Sequence, residues 1–510
     1  MADKTDISKV ADLELGDLLK TTSPLQKEMY LPDAIIEYLN KGGNGTMPRE
    51  EDIDDIPTGF WNDMKKNSMA TDIFEKMSVT PGSEGELNFG VNYGMDFLLY
   101  IYSMRNFPGY KIKDEYKDNI QICWVHNLGH NNISRIDMMI DNDPKQTITN
   151  TWLDIYSQNF MKWGYKKTYR KCVGDSKYSQ EWTNELKPCT MQVPLPFLFS
   201  RKRCTALPLF LTMDDIINKS KIEFKMHYRT KISELLKMRM RKTADGPWVE
   251  IPYNWNVIVG VSDADQKLPY HPELYGCYSK ITSEERNSWK DRIKNNKGKV
   301  YKMYYDDIII INPDKTYTIK EPFTTELSCK TPCRGIFWVA QNQEGLKYNN
   351  YSNYTTNTYS VKEGEHPITK ISMKHGGTTS RHQNLDYRHF NDMMNYHRLP
   401  SSPFYPGYQC LIFSDNLLRT DPDIGLIFNN DIKTNLTLSL ERPNEKPSEK
   451  KIETQKDQFL ESLLADPDRS DGFSIQRYKI FVFLYIMKKI EFPIADKIRV
   501  YSGNEKVFPD

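Results

Sequence analysis

The sequence predicts an all-β protein built as two β-domains in tandem, and three observations carry that prediction. Apolar residues recur with a period of two from residue 85 onward, the spacing of half-buried strands. The chain holds 31 tyrosines and 22 phenylalanines, residue types that suit a pleated sheet. Short strand-like runs, punctuated by turns, form two long series, the pattern of a sandwich or barrel. At 510 residues there is room for several domains of ordinary size or for two large β-domains.

Residues 1–56 read as an N-terminal arm. Residues 31–39 have a helical pattern with Pro32 near its start, and GGNGTMPREEDIDDIP is Gly-rich and acidic. Residues 57–228 read as the first β-domain. ELNFGVNYG sets Leu87, Phe89 and Val91 on one face, FLLYIYSM is an apolar run of strand length, and IQICWV aligns Ile120, Ile122 and Trp124. ISRIDMMI, the turn DNDPK and QTIT read as a hairpin. MQVPLPFLF places Met191, Val193, Leu195, Phe197 and Phe199 on the core side; Pro194 and Pro196 fall opposite, as on an edge or bulged strand. ALPLFLT and KIEFKM follow as returning strands, the latter with Ile222, Phe224 and Met226 aligned.

Residues 229–297 read as an insertion or linker. They hold TKISELLKMRMRK, a helix or long strand, and the charged run SEERNSWKDRIKNNKGK. Residues 298–510 read as the second β-domain, from YKMYYDDIIII through TYTIK, RGIFWVAQ, ITKISMK, YQCLIF, GLIFNN and NLTLSLE. RYKIFVFLYIMKKI closes the series, with Tyr478, Ile480, Val482, Leu484 and Ile486 on one face. Long polar stretches at 340–405 and 443–470 interrupt it; loops of that length are usually functional or mobile.

Composition excludes several classes. Lys+Arg 69 against Asp+Glu 68 leaves a net charge of +1, so direct nucleic-acid binding is not expected. No run of 18 apolar residues suits a membrane-spanning helix, and the polar, acidic start lacks a secretory core. The eight cysteines (Cys123, Cys172, Cys189, Cys204, Cys277, Cys329, Cys333 and Cys410) are too scattered for a disulfide scaffold and fit a reducing compartment.

The motifs give no chemistry. No phosphate-cradling glycine loop or G-x-S-x-G elbow occurs. His126 and His130, in HNLGH, have the i, i+4 spacing of a zinc pair, but Gly129 lies between them and the flanks read as strands, so a strand-to-turn corner is expected. Cys329 and Cys333, in CKTPC, read as a loop with two free thiols. His375, His382, His389 and His397 recur near Arg381, Asp386, Tyr387 and Arg388, and read as a solvated loop or inter-subunit contact rather than a metal or pH-sensing site. Asp306–Asp307 and Asp214–Asp215 are expected at strand ends and turns, with no partner acid or base. Outside the acidic first arm five N-x-[ST] sequons occur, at Asn132, Asn218, Asn350, Asn353 and Asn435, and most are read as coincidental. No catalytic, cofactor-binding or metal residue is assigned.

Several stretches together resemble one family, the double jelly-roll major capsid proteins of the nucleocytoplasmic large DNA viruses. PLPFLFSRKRCTALPLFLT resembles the family's Pro-Leu-Pro-Phe-x-Phe, turn and Ala-Leu-Pro-Leu. WVHNLGHNNISRIDMMID followed by TWLDIYSQ resembles its Leu-Gly-His element, hairpin and Trp-Leu-x-Ile strand or helix start. GIFWVAQNQ, the pair GLIFNND and NLTLSL, and RYKIFVFLYIMKKI match later strands in order, although residues 427–431 keep only part of the family's pattern. The likeness runs over residues 57–510; the insertions at 229–297 and 443–470 depart from it.

The resemblance implies two tandem eight-stranded antiparallel jelly rolls, a homotrimer with a pseudo-hexagonal outline, and tiling into an icosahedral virus shell. It implies neighbouring capsomers, minor capsid and penton proteins as partners, with inner-membrane proteins a further candidate. It also implies location in the virion capsid after assembly in host cytoplasm, and no enzyme activity or cofactor. A poxvirus-like scaffold protein has the same fold. A carbohydrate-active or cupin-like jelly-roll enzyme would instead need converging carboxylates or a His/Glu metal set on strands. Residues 340–405 are expected as an exposed crown and residues 1–55 at the base of the shell.

Overall fold

The structure is a computed structural model. It describes residues 71–501 apart from 177–178, 201–204, 213–219, 264–265, 296–299, 312–314, 319–320, 376–378, 419–424, 429–432, 441–475 and 494–497. The arm expected at 1–56 and the stretch at 443–470 lie outside the described residues.

The first roll has eight principal strands: Thr71–Lys76, Glu86–Gly90, Phe97–Phe107, Ile133–Ile140, Asp143–Thr149, Cys189–Leu195, Ile222–Tyr228 and Glu273–Lys280. Its two antiparallel sheets have the strand orders one-eight-three-six and two-seven-four-five, with short Ser78–Pro81 added at the edge of the latter. The second roll repeats the plan with Val300–Ile311, Phe323–Leu327, Cys329–Asn342, Ile368–His375, Thr379–Asp386, Gln409–Ile412, Thr434–Leu440 and Arg477–Pro493. Its sheets again run one-eight-three-six and two-seven-four-five. This is a jelly roll twice over.

Local chemistry explains the elements. In Ile222–Tyr228 the residues alternate buried and half-buried, and Ile222, Phe224 and Met226 enter the core. The Ile133–Ile140/Asp143–Thr149 hairpin turns through Asp141 and Asn142, both at positive φ (53° and 66°). That is the two-residue turn whose twist matches paired strands, and Asp and Asn tolerate it best after glycine. Among the described residues Cys189–Leu195 pairs only with Phe97–Phe107, so Pro194 sits on an edge strand, where its missing N–H costs no ladder bond.

The structure corrects the expected organisation in four places. Residues 229–297 are not an insertion between two domains: Glu273–Lys280 lies inside the first roll's sheet, between Thr71–Lys76 and Phe97–Phe107. Leu236–Met240, from the seven-to-eight connection, pairs with Ile120–Trp124, from the three-to-four connection, and with Val249–Ile251. This small sheet has its own core, including Ile122, Trp124, Met238 and Ile251. The charged run forms a helix, Ser283–Asn295.

Second, ALPLFLT is not a full strand but a two-residue pairing, Leu207–Pro208, followed by a helical turn, Leu209–Thr212. Third, CKTPC is no loop: Cys329 and Cys333 lie within strand Cys329–Asn342, which is irregular between them and buries both thiols.

Fourth, part of the segment expected to be exposed at 340–405 is interior. Asn349, Asn350, Ser352, Asn353, Tyr354 and Thr355 are all buried. Residues Met69–Asp510 form one compact unit, and these polar residues help to make it one.

Candidate functional site

What the sequence builds with most care is the seam where the two rolls meet.

The seam begins on the five-to-six connection of the first roll. Thr149 caps the helix Asn150–Asn159, its hydroxyl accepting from Trp152 N at 3.2 Å. The helix carries Trp152, with Phe160 just beyond, onto the outer face of the second roll's one-eight-three-six sheet. Trp152 lies 5.7 Å from Phe337 and 5.9 Å from Tyr485, ring centre to ring centre. Phe160 lies 5.2 Å from Phe337 and 5.1 Å from Tyr485. Strand Arg477–Pro493 is therefore buried on both faces. Tyr478, Ile480, Val482, Leu484 and Ile486 fill the second roll's core, as the alternation predicts, while Phe483 and Tyr485 fill the seam.

Around this apolar contact runs a buried polar network. Asp154, on the same helix, accepts from Asn127 Nδ2 and meets His130 Nδ1, each at 2.7 Å, and accepts from Tyr354 OH of the second roll at 3.0 Å. His130 Nε2 meets Tyr169 OH at 3.0 Å. With Nδ1 donating to the carboxylate, Nε2 accepts the phenol proton and both ring nitrogens are satisfied. Burial, reinforced by Asp154, holds the Tyr354 phenol well above its ordinary value and keeps it a donor. Asn131 Nδ2 donates to Ser352 Oγ at 2.8 Å. Asn349 Nδ2 donates to the carbonyls of Ser233 and Leu236 at 2.5 and 2.8 Å. These bonds hold the 349–355 segment against the first roll, and they explain why an Asn-rich stretch is buried rather than solvated.

A second group closes the seam at the 398–408 segment. Tyr405 OH donates to Asp175 Oδ1 at 2.8 Å, and Arg170 Nε donates to Asp175 Oδ2 at 2.7 Å. Lys166 Nζ donates to the carbonyls of Gln158 and Ser402, both at 2.7 Å. Burial pushes its ammonium down to about 8. Gln146 Nε2 donates to Asp306 O at 3.1 Å, tying the first roll's fifth strand to the second roll's first.

The residues singled out from sequence fall as follows. His126 precedes a short helix, Leu128–Asn132, and His130 lies within it, rather than both sitting at a plain corner. Gly129 is required there because a Cβ would meet Val193 Cγ2 at 2.6 Å. Both histidines belong to the seam; burial lowers the affinity of His126 for a proton. The four later histidines disperse. His375 bonds Thr434 Oγ1 at 2.8 Å, His382 lies on strand Thr379–Asp386, and His389 and His397 sit on successive helical turns. Among the described residues no three of His, Cys, Asp or Glu gather as a metal-holding group.

Asp306 and Asp307 lie inside strand Val300–Ile311, not at its end, and they have partners. Arg334 and Tyr485 each donate to Asp306 at 2.8 Å, and Lys488 donates to Asp307 at 2.6 Å. Asp214 and Asp215 lie outside the described residues. The sequon residues Asn132, Asn350 and Asn353 are buried, Asn435 is half-buried on a strand, and Asn218 lies outside the described residues. Sequence reasoning missed Asp154, Tyr354 and Asn349; the only signal for the latter two was a polar segment dense in Asn and Tyr.

A tandem pair of jelly rolls, each eight-stranded and welded across an aromatic seam, makes this a double jelly-roll protein. Residues 95–253 match the family model described as major capsid protein N-terminus. The chain is 22% identical over 392 residues to the major capsid protein of Frog virus 3, a match covering 72% of this chain and 79% of that one. It is 26% identical over 141 residues to the major capsid protein of Lymphocystis disease virus 1, covering 27% and 31%. In fold it resembles the Faustovirus major capsid protein, with a TM-score of 0.60 and 10% identity, covering 96% of this chain and 99% of that one. The PBCV-1 virus capsid gives a TM-score of 0.60 at 11% identity, covering 86% and 98%. In sequence and in fold the chain is thus similar to major capsid proteins of large DNA viruses.

Proposed function

We propose that this chain is the tile of an icosahedral virus shell, assembling as a homotrimer whose six jelly rolls give a pseudo-hexagonal outline. The observation that carries the reading is the seam. Two rolls of the same topology are locked in one fixed relation by buried aromatic rings and buried hydrogen bonds between them, which suits a rigid building block. The likeness to major capsid proteins in sequence and fold supports it. The near-zero net charge lets such tiles pack edge to edge without strong mutual repulsion.

In this reading the protein works without a catalytic site, cofactor or metal. Its partners are further copies of itself, minor capsid and penton proteins, and proteins of an inner membrane. It resides in the capsid after assembly in host cytoplasm. Residues 1–55 face the inside of the shell. Light scattering of the purified protein tests the first step: the expected mass is three times 59.8 kDa. Electron micrographs should show hexagonal outlines. A protein that stays monomeric at every concentration overturns the reading.

A further inference from the structure

We propose that the outer face of the first roll's one-eight-three-six sheet receives the helical segment 389–398 of a second copy of this chain. The inference rests on the trimeric tile proposed above and names the surfaces that would close it.

The intramolecular seam supplies the template. In the second roll, strands three and eight carry a cross-strand aromatic pair on their outer face, Phe337 opposite Phe483. The five-to-six connection of the first roll covers that pair with Trp152, and both phenylalanines are 0% exposed. The first roll has a corresponding pair on its own strands three and eight, Tyr102 opposite Tyr275, with rings stacked 5.3 Å apart. Phe74 and Tyr100 extend this face, 6.0 Å apart. Yet Phe74 keeps 55% of its surface and Tyr100 keeps 39%.

The complementary surface lies on the second roll's own five-to-six connection. Residues 389–398 are helical, like their counterpart 150–159. Phe390 anchors the segment to its own roll, 5.6 Å from Trp338. Met393 and Tyr396 point away from that anchor and are 51% and 79% exposed. Each roll therefore has an aromatic outer face and a helical connection, and one chain uses one of each. The two left over match in kind. Among the described residues the outer faces of the remaining sheets carry polar pairs instead, such as Lys225 opposite Asn88 and Thr324 opposite Thr437.

Joining the leftover surfaces between copies repeats the roll-to-roll step already made within the chain. Such a contact is head-to-tail, and it forms a closed ring only if its rotation closes. Six rolls in a pseudo-hexagon close after three chains.

Paired cysteines test the contact. Full-length Tyr102→Cys/Tyr396→Cys protein, oxidised and run on a non-reducing gel, should give covalent dimers and trimers, while each single variant matches the parent. Tyr396→Asp changes a residue outside both cores, so it should keep the parent's circular dichroism. It should also weaken trimer association at least about tenfold, as loss of an interface anchor does. A parent trimer that Tyr396→Asp leaves intact, with cross-links absent or only within one chain, overturns this inference and leaves the tile standing. A parent that is monomeric throughout overturns both.

Discussion

Trp152 and Phe483 lie 5.4 Å apart, ring centre to ring centre, although one belongs to the first roll and the other to the second. Through this pair the two rolls share a hydrophobic interior. Replacing Trp152 by Ala removes ring contacts to Phe160, Phe337, Phe483 and Tyr485 together. The expected cost is about 3–5 kcal/mol, the range for emptying a buried aromatic site. Urea unfolding followed by tryptophan fluorescence and circular dichroism should show an earlier transition, and the rolls should separate into two steps. A variant with the parent's midpoint would contradict the seam.

Asp154 is the polar counterpart of Trp152. Asp154→Asn keeps the shape but places an amide donor among groups that already donate, Asn127, His130 and Tyr354. The loss of charge-assisted bonds with an unsatisfied buried donor should cost about 2–4 kcal/mol. Thermal melting is the measurement, and a change under about 0.5 kcal/mol would remove Asp154 from the network.

Acid should loosen the molecule through buried histidines. His366 Nδ1 accepts from Gly407 N at 3.0 Å, a bond that only a ring unprotonated at that nitrogen can make. Burial lowers its proton affinity, taking it from 6.5 to about 4. The folded value lies below the unfolded one, so the unfolded chain binds the extra proton between these pH values. Stability is full above 6.5 and falls as pH drops toward 4, by at most about 3 kcal/mol from this residue. Buried His126 shifts in the same direction. Melting temperatures from pH 7 to pH 4 should fall less steeply in His366→Asn than in the parent; parallel curves would exclude His366 as a contributor.

The first core has its own test residue. Phe197 packs 5.1 Å from Phe224 and 6.0 Å from Phe199. Phe197→Ala should destabilise by about 3–5 kcal/mol. Chemical denaturation measures it, and a cost near zero would mean that the site refills.

How far the sequence revealed this structure depended on how local each signal was. The Ile133–Ile140 hairpin was legible because its turn and both strands are adjacent in the chain. The inward face of Arg477–Pro493 was legible from alternation, but its outward face was not: FVFLY is continuously apolar, and period alone cannot say what covers the second side. The role of Glu273–Lys280 was hidden because its sheet neighbours lie far away, with Tyr275 beside Tyr102. Composition misled at 349–355, where buried Asn side chains satisfy backbone carbonyls, as Asn349 does for Leu236. No candidate-site residue of the seam was named for its role, since a seam has no motif.

The strand order also governs the timing of synthesis. In each roll the eighth strand sits between the first and the third, so Val300 must wait for Pro493 and Thr71 for Lys280. A growing chain therefore carries open sheet edges until the last strand of each roll has left the ribosome. Contacts so distant in sequence make folding slow, and exposed edges invite pairing with other chains. A cell making many copies at once would have to shield these half-built sheets, and the yield of finished tiles would be set by how well newborn chains are kept apart.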